Sequence, residues 1–234
     1  MMKIRIEKVI ASLYPYTRAE IKDLIKKGLI KVNNEIIKKP INIDTEKDLV
    51  YFDNELIKYK EFYYYMFNKP AGYICANYDK YESTIFDILD LDNRQYFAYG
   101  RLDKDTEGLL IISNDGKLGH YLLSPKHKVA KKYYLKVNKE FTENIKTYTK
   151  PIKIGEDEFI KDYQFEFIDD FSAYLTIYEG KFHQVKRMLE FFNYEVIYLK
   201  RLSFGNLVLD KKLKLGEIRE LNQDEIEILK SREN

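Results

Sequence analysis

Near residue 60 of this 234-residue chain the rhythm of the apolar residues changes, and the chain divides there into two units. Before that point Ile and Lys dominate and apolar residues recur at helical spacing. From Tyr63 onward, short apolar runs are separated by Gly, Asp and Asn. Lys58, Tyr59, Lys60 and Glu61 form a polar link between the two. The length suits a small domain followed by a larger one, and the larger piece can bury a core without disulfides or metal. The expected division is a domain over 1–58, a linker over 59–62 and a domain over 63–234.

The first unit carries clear punctuation. Ile6, Val9, Ile10 and Leu13 recur at i, i+3, i+4 and i+7, which predicts an amphipathic helix that Pro15 ends. Thr17 followed by Glu20 is a capping box opening a second helix. Ile21, Leu24 and Ile25 are its buried stripe, and Gly28 supplies the left-handed stop. Asn33-Asn34 then reads as a tight hairpin turn, because Asn tolerates positive φ, and a further strand is expected over 48–52. The second helix presents Arg18, Lys22, Lys26 and Lys27, with only Glu20 and Asp23 to offset them. Such a cluster is commonly a solvated helix face. Spread over a helix and the adjoining turn, it also suits a phosphate backbone, where each cation releases condensed counterions.

Charge and cysteine usage exclude several classes. The 40 Lys and Arg against 38 Asp and Glu leave a net charge of +2, so this is no uniformly basic chromatin-type binder, although local patches still permit nucleic acid. A single cysteine, Cys75, rules out a disulfide scaffold and a cysteine-based zinc site. His120, His127 and His183 lack metal-ligand spacing, and no metal or other cofactor is expected. With no apolar run near 18 residues and no signal-peptide pattern, the chain is expected to be cytoplasmic and without membrane contact.

The chemistry-bearing segments lie in the second unit. Asn68-Lys69-Pro70-Ala71-Gly72 follows a strand and reads as a turn, with Lys69 available for a phosphate. Gly100-Arg101-Leu102-Asp103 opens a loop crowded with Arg and carboxylates that feeds the apolar strand 109–112, the kind of place where catalytic groups sit. Asp103, Asp105 and Glu107 alternate as calcium-loop ligands do, but the closing Glu is absent. Paired carboxylates would also suit a glycosidase. Asp115 is placed to cap the helix that follows. Lys131, Lys132, Tyr133 and Tyr134 fit a nucleic-acid groove, where cations hold phosphates and rings stack on bases. They equally fit an exposed edge strand guarded by Lys. In the segment 179–192, Val185, Met188, Leu189 and Phe192 form a helical core stripe. Lys186 borders that stripe, Arg187 lies away from it, and His183 is a hydrogen-bonding or RNA-contacting candidate.

Two resemblances follow. The residues from Arg5 to Val9 and from Thr17 to Asn33 resemble the small RNA-binding domain named after ribosomal protein S4. The segments 68–72, 100–116, 131–133 and 179–189, with Leu199 to Leu207 and Leu215 to Arg219, appear in the order of the bacterial rRNA pseudouridine synthases. The phrase His183-Gln184-Val185-Lys186-Arg187-Met188 is most similar to the small-subunit (16S) branch.

The resemblance implies an α+β fold: a small S4-like α/β domain, then a catalytic domain on a mixed, mostly antiparallel central sheet. It implies isomerisation of a uridine to pseudouridine in ribosomal RNA, 16S or a small-subunit assembly intermediate, by a monomer. Asp103 would be the essential carboxylate, attacking C1′ or removing a C2′ proton. Lys186 would keep it ionised by proximity, and Tyr133 would lie against the uracil. Arg101, Lys69, His183, Arg187 and Lys131 would contact RNA around the cleft; Arg5, Arg18, Lys22, Lys26 and Lys27 would do so on the S4-like domain. The target nucleotide would have to be flipped out. The alternatives are action on 23S rRNA, or a non-catalytic RNA-binding assembly factor. A glycan hydrolase would need a second catalytic carboxylate and no basic N-terminal domain.

If the basic helix binds backbone without reading sequence, Lys22→Glu with Lys27→Glu should weaken rRNA binding. It should also reduce the slope of log affinity against log salt by about 2. A filter-binding titration across salt concentrations measures both.

Overall fold

The computed structural model describes residues 3–45, 47–57 and 59–231; Lys58, in the expected link, lies outside them. Two compact units are present, Met1–Phe62 and Tyr63–Asn234. Tyr59 packs against the core of the first, so the segment after Ile57 still belongs to that unit.

In the first unit, β1 (Lys3–Arg5) leads into α1 (Ile6–Leu13) and α2 (Arg18–Lys26). They are followed by β2 (Ile30–Val32), β3 (Glu35–Ile36), β4 (Asn42–Asp44), β5 (Val50–Phe52) and β6 (Glu55–Leu56). The capping box forms as its spacing predicts: the Glu20 amide donates to Thr17 Oγ1 at 3.3 Å and the Thr17 amide to Glu20 Oε2 at 2.7 Å. Gly28 takes φ +80°, and Asn33 and Asn34 take φ 52° and 67° in the β2–β3 turn. Asp53 and Asn54 repeat that turn between β5 and β6, at φ 49° and 67°. Ile6, Val9, Ile10, Ile21, Ile25 and Ile30 are fully buried together. Each such side chain contributes roughly 1.5–3 kcal/mol. Leu13, expected on the same stripe, is the last residue of the helix and is exposed instead.

The second unit is built on one mixed sheet. Its strands are β7 (Tyr64–Lys69), β8 (Phe97–Ala98), β9 (Glu107–Ser113) and β10 (Lys131–Val137), then β11 (Ile152–Lys153) and β12 (Phe159–Ile160), which pair apart. Next come β13 (Tyr163–Phe167), β14 (Ser172–Ile177), β15 (Val196–Phe204), β16 (Leu207–Val208) and β17 (Ile218–Glu220). Their order is β13-β14-β10-β15-β9-β7-β17, with β8 on β9 and β16 on β15. Every pairing is antiparallel except β15 on β9. The helices are α3 (Gly116–Leu123), capped by Asp115 as expected, α4 (Glu143–Lys146), α5 (Gln184–Glu190) and α6 (Gln223–Lys230). The fold is thus α+β on a mixed, mostly antiparallel sheet. No helix among the described residues is long and apolar enough to cross a membrane.

Two local features shape the sheet centre. Between β10 and β15, Lys132 pairs with Ser203 but Tyr133 pairs with Arg201, so Leu202 is an extra residue. This bulge keeps Arg201 and Phe204 on one face, with Lys131 and Tyr133; without it, Arg201 and Phe204 would point to opposite faces. The parallel contact sets Arg201 against Gly108. Gly108 has φ +103°, and a Cβ there would lie 2.3 Å from the Arg201 carbonyl oxygen. Only glycine allows that approach.

Gly108→Ala should therefore destabilise the second unit by about 3 kcal/mol. A lower urea midpoint for that unit is the expected readout.

Candidate active site

A cleft of about 900 Å³ opens in the second unit. Strands β10 and β15 supply Lys131, Tyr133 and Arg201, the loop before β9 supplies Arg101 and Asp103, and the turn before α5 supplies His183. A smaller cavity of about 70 Å³ shares Arg101, Asp103, Tyr133 and His183 with it and adds Thr106 and Gln184.

The Asp103 loop is fixed from beneath. Lys69, at the end of β7, has no exposed surface. Its Nζ donates to the carbonyl oxygens of Pro70, Asp103, Lys104 and Thr106 at 3.0, 3.1, 3.3 and 2.9 Å. Burial pushes its pKa down, against the opposing fields of Cys75, Asp105, Asp103 and Glu107. The Gly72 amide holds the Lys104 carbonyl at 2.7 Å, and the Leu102 amide donates to Cys75 Sγ at 3.3 Å. Burial raises the Cys75 thiol pKa, so it acts here as a packing and hydrogen-bonding group and not as a nucleophile.

The Asp103 carboxylate, about a quarter exposed, faces two basic groups. Lys186 Nζ is 3.6 Å from Oδ2 and His183 Nε2 is 3.7 Å from Oδ1. His183 holds φ 48°, a left-handed conformation that histidine adopts at a cost, immediately before α5. Lys186 has a tighter partner than the expected one: its Nζ donates to both oxygens of Asp105, at 2.6 and 2.7 Å. Burial raises the Asp105 pKa, but the hydrogen bond and charge of Lys186, aided by His183, outweigh it and leave a net lowering. Asp105 is accordingly part of the Lys186 arrangement and no neutral neighbour. Glu107 accepts from the Tyr198 hydroxyl at 2.7 Å, so the three alternating carboxylates have different partners.

Of the expected RNA contacts, Lys69 is corrected, while Lys131 and Arg187 have protein partners of their own. Lys69 is enclosed, and its ammonium is committed to four carbonyls, so no phosphate can reach it. Lys131 is buried and donates to the Val129 carbonyl at 2.9 Å; it belongs to the cleft interior and not to a phosphate-facing surface. Arg187 is held at 3.0 Å by Glu158 and at 3.2 Å by the Phe182 carbonyl. Arg101 is exposed at the cleft and forms no ion pair among the described residues. On the first unit, Arg18, Lys22 and Lys27 are exposed, Lys26 pairs with Asp23 at 3.2 Å, and Arg5 pairs with Glu7 at 3.0 Å.

Cys75 and Arg201 did not stand out in the sequence as site residues, and Asp105 did so only as a possible metal ligand. Arg201 had a signal: it lies in a strand of mainly apolar residues beside a second cation, Lys200, and a cation buried there needs a partner. Cys75 had none, since a lone cysteine is more often simple packing.

The comparisons with known proteins agree with this geometry. The family described as RNA pseudouridylate synthase matches residues 63–191, and the S4 domain matches residues 4–40. A ribosomal small subunit pseudouridine synthase A of Haemophilus influenzae is 37% identical over 97% of this chain and 99% of its own. An uncharacterized RNA pseudouridine synthase of Bacillus subtilis is 38% identical over 97% of this chain and 98% of its own. A crystal structure of a pseudouridylate synthase, 37% identical, superposes with a TM-score of 0.68 and covers 97% of this chain and 99% of that one. The chain belongs to the RNA pseudouridylate synthase family, and it carries an S4 domain ahead of the catalytic unit.

Burial, and then the charge of Arg201, push the Lys131 pKa down from 10.5 to about 8. Between those values the unfolded chain binds more protons than the folded one, so stability should rise with pH through that window. The gain from pH 8 to pH 10, relative to a Lys131→Met variant, is expected to be about 2 kcal/mol. Parallel denaturation curves at the two pH values measure it.

Proposed function

We propose that the protein converts a uridine of small-subunit (16S) ribosomal RNA, free or within an assembling subunit, to pseudouridine. The observation that carries this reading is the Asp103 carboxylate, with Lys186 and His183 at 3.6 and 3.7 Å, in a cleft that Tyr133 also lines. A pure RNA binder has no use for a carboxylate at that point, because it repels phosphate. The 16S preference is supported by the relatives named ribosomal small subunit pseudouridine synthase A in Haemophilus influenzae and Vibrio cholerae, the latter 35% identical.

In the reaction the C1′–N1 bond breaks, the base turns, and C1′ joins C5. Asp103 acts on the sugar, at C1′ or on the C2′ proton. Lys186 and His183 stand against its two oxygens and help position it. Tyr133 packs against the uracil, and Arg101, exposed at the cleft mouth, holds a phosphate beside the flipped nucleotide. Flipping costs a few kcal/mol, which those contacts offset. The chemistry is an internal rearrangement with no net redox change. One chain supplies every group named, consistent with a monomer, and its substrate would meet it in the cytoplasm.

Pseudouridine mapping of rRNA from cells with and without the gene should show one 16S position lost; loss from 23S rRNA instead would redirect the substrate. Asp103→Asn should lower turnover on small-subunit precursors by several orders of magnitude while RNA affinity is kept or improved. Asp224→Asn, at an exposed helix start, is the charge control and should stay near wild type. Near-native turnover in Asp103→Asn would remove the catalytic role.

A further inference from the structure

The base of the cleft holds two buried cations that the reaction as outlined above does not use. Arg201 is 2% exposed. Its Nε donates to the Leu109 carbonyl at 2.7 Å, which fixes the guanidinium, yet one terminal nitrogen is buried and has no acceptor among the described residues. Lys131, two residues before Tyr133 on β10, hydrogen-bonds among the described residues only to the Val129 carbonyl. Its Nζ lies 5.2 Å, and the Arg201 Cζ 5.5 Å, from the centre of the same Phe204 ring. Among the described residues neither forms an ion pair with a carboxylate. Two buried like charges, with only the more distant Glu179 carboxylate acting on Lys131, are unfavourable, and that arrangement suits a site where an anion or a strong acceptor arrives.

The fold goes to some length to make this arrangement. The bulge at Leu202 turns Arg201 onto the cleft face, directly across from Tyr133. Gly108 lets the Arg201 backbone approach β9 closely enough for Nε to reach the Leu109 carbonyl. Arg201, Lys131 and Tyr133 all line the cleft that contains Asp103.

We propose that Arg201, with Lys131 beside it, binds a carbonyl oxygen of the target uracil and holds the negative charge that gathers there as the C1′–N1 bond breaks. This rests on the isomerase reading above. Both routes open to Asp103 create that charge. If its carboxylate attacks, a C1′–O bond replaces C1′–N1 and the bonding pair leaves on N1. If it removes the C2′ proton, the C2′–H pair becomes a C1′=C2′ bond and the N1 pair leaves again. Either way uracil departs as an anion with charge shared among N1, O2 and O4. Closing C1′–C5 then expels the carboxylate, or on the second route returns a proton to C2′. The C5 proton is lost and N1 takes one up. A planar guanidinium N–H fixed in a water-poor pocket is suited to an sp² oxygen whose charge rises during the step. A backbone phosphate is the weaker choice of ligand, because a flipped nucleotide enters base first and these cations are at the base, not the rim.

The test uses the full chain and an oligoribonucleotide spanning the mapped target uridine. Three versions carry uridine, 2-thiouridine or 4-thiouridine at that position; sulfur accepts hydrogen bonds weakly. Arg201→Gln should slow single-turnover conversion of the uridine substrate by about 10²–10³-fold, with RNA affinity nearly unchanged. For one of the two thio substrates, the sulfur effect in wild type should exceed that in Arg201→Gln by about tenfold or more, because the lost contact can be lost only once. A purely structural role leaves the sulfur effect the same in both proteins, and that result for both analogues would overturn the proposal. So would a loss confined to RNA affinity, which points to a phosphate contact. If Arg201→Gln does not fold, Arg201→Lys, which keeps a cation, gives the same comparison of sulfur effects. Wild-type protein that makes no pseudouridine from the uridine substrate would refute the isomerase reading itself, a different outcome from equal sulfur effects.

Discussion

A buried ammonium organises the catalytic unit. Lys69 lies under the loop that presents Asp103, and it holds that loop by its main chain. A lysine taken fully out of water pays a large desolvation penalty. Here the compensation comes from four carbonyl dipoles and not from a carboxylate. The distinction matters for function. Had Lys69 met the Asp103 side chain, the two would have formed a closed, inert pair. By binding the Asp103 carbonyl instead, Lys69 sets the position of the residue and leaves its carboxylate to face the cleft. The Cys75 and Gly72 contacts then fix the flanking residues, so the loop has little freedom in where it places that group.

Above the loop, the charges are shared unevenly. Lys186 is bound closely by Asp105, which is two-thirds exposed, and stands a full ångström farther from Asp103. A pair of that exposure contributes little to stability. Its value lies in geometry: Asp105 holds an ammonium beside Asp103 without allowing it to quench Asp103 directly. The same separation of duties appears at Glu107, which Tyr198 occupies. Of three carboxylates spaced for a common ligand, only Asp103 is left to the cleft.

Much of the architecture was legible in the sequence because local chemistry dictated it. The Thr17–Glu20 box, the Asn33-Asn34 turn, the Asp115 cap and the alternation after Lys131 each depend on neighbours within a few residues. Asp103, Tyr133 and Lys186 were legible as site candidates because they fall in motif segments of a recurring order. What escaped was set by long-range contact. Lys69 was read as a surface cation, since nothing local reveals that four carbonyls from a turn and a loop some 35 residues on would surround it. The surroundings of Lys131 and Arg187 were hidden for the same reason, being the burial of one strand and a glutamate on a distant loop. The bulge at Leu202 was invisible too, because a strand register is defined only by the partner strand.

The two units divide the work along a physical line. Exposed cations such as Arg18, Lys22 and Lys27 attract phosphate over a range set by salt and carry no information about which nucleotide is bound. The cleft works in the opposite regime. Apart from Arg101 at its mouth, its cations are buried or paired, and what enters must fit against Tyr133 and Asp103. If the first unit captures RNA as proposed, the chain segment joining the two would raise its local concentration at the second. The cleft therefore has no need of a strongly attractive rim. It can keep at its centre the Asp103 carboxylate, a charge that repels phosphate.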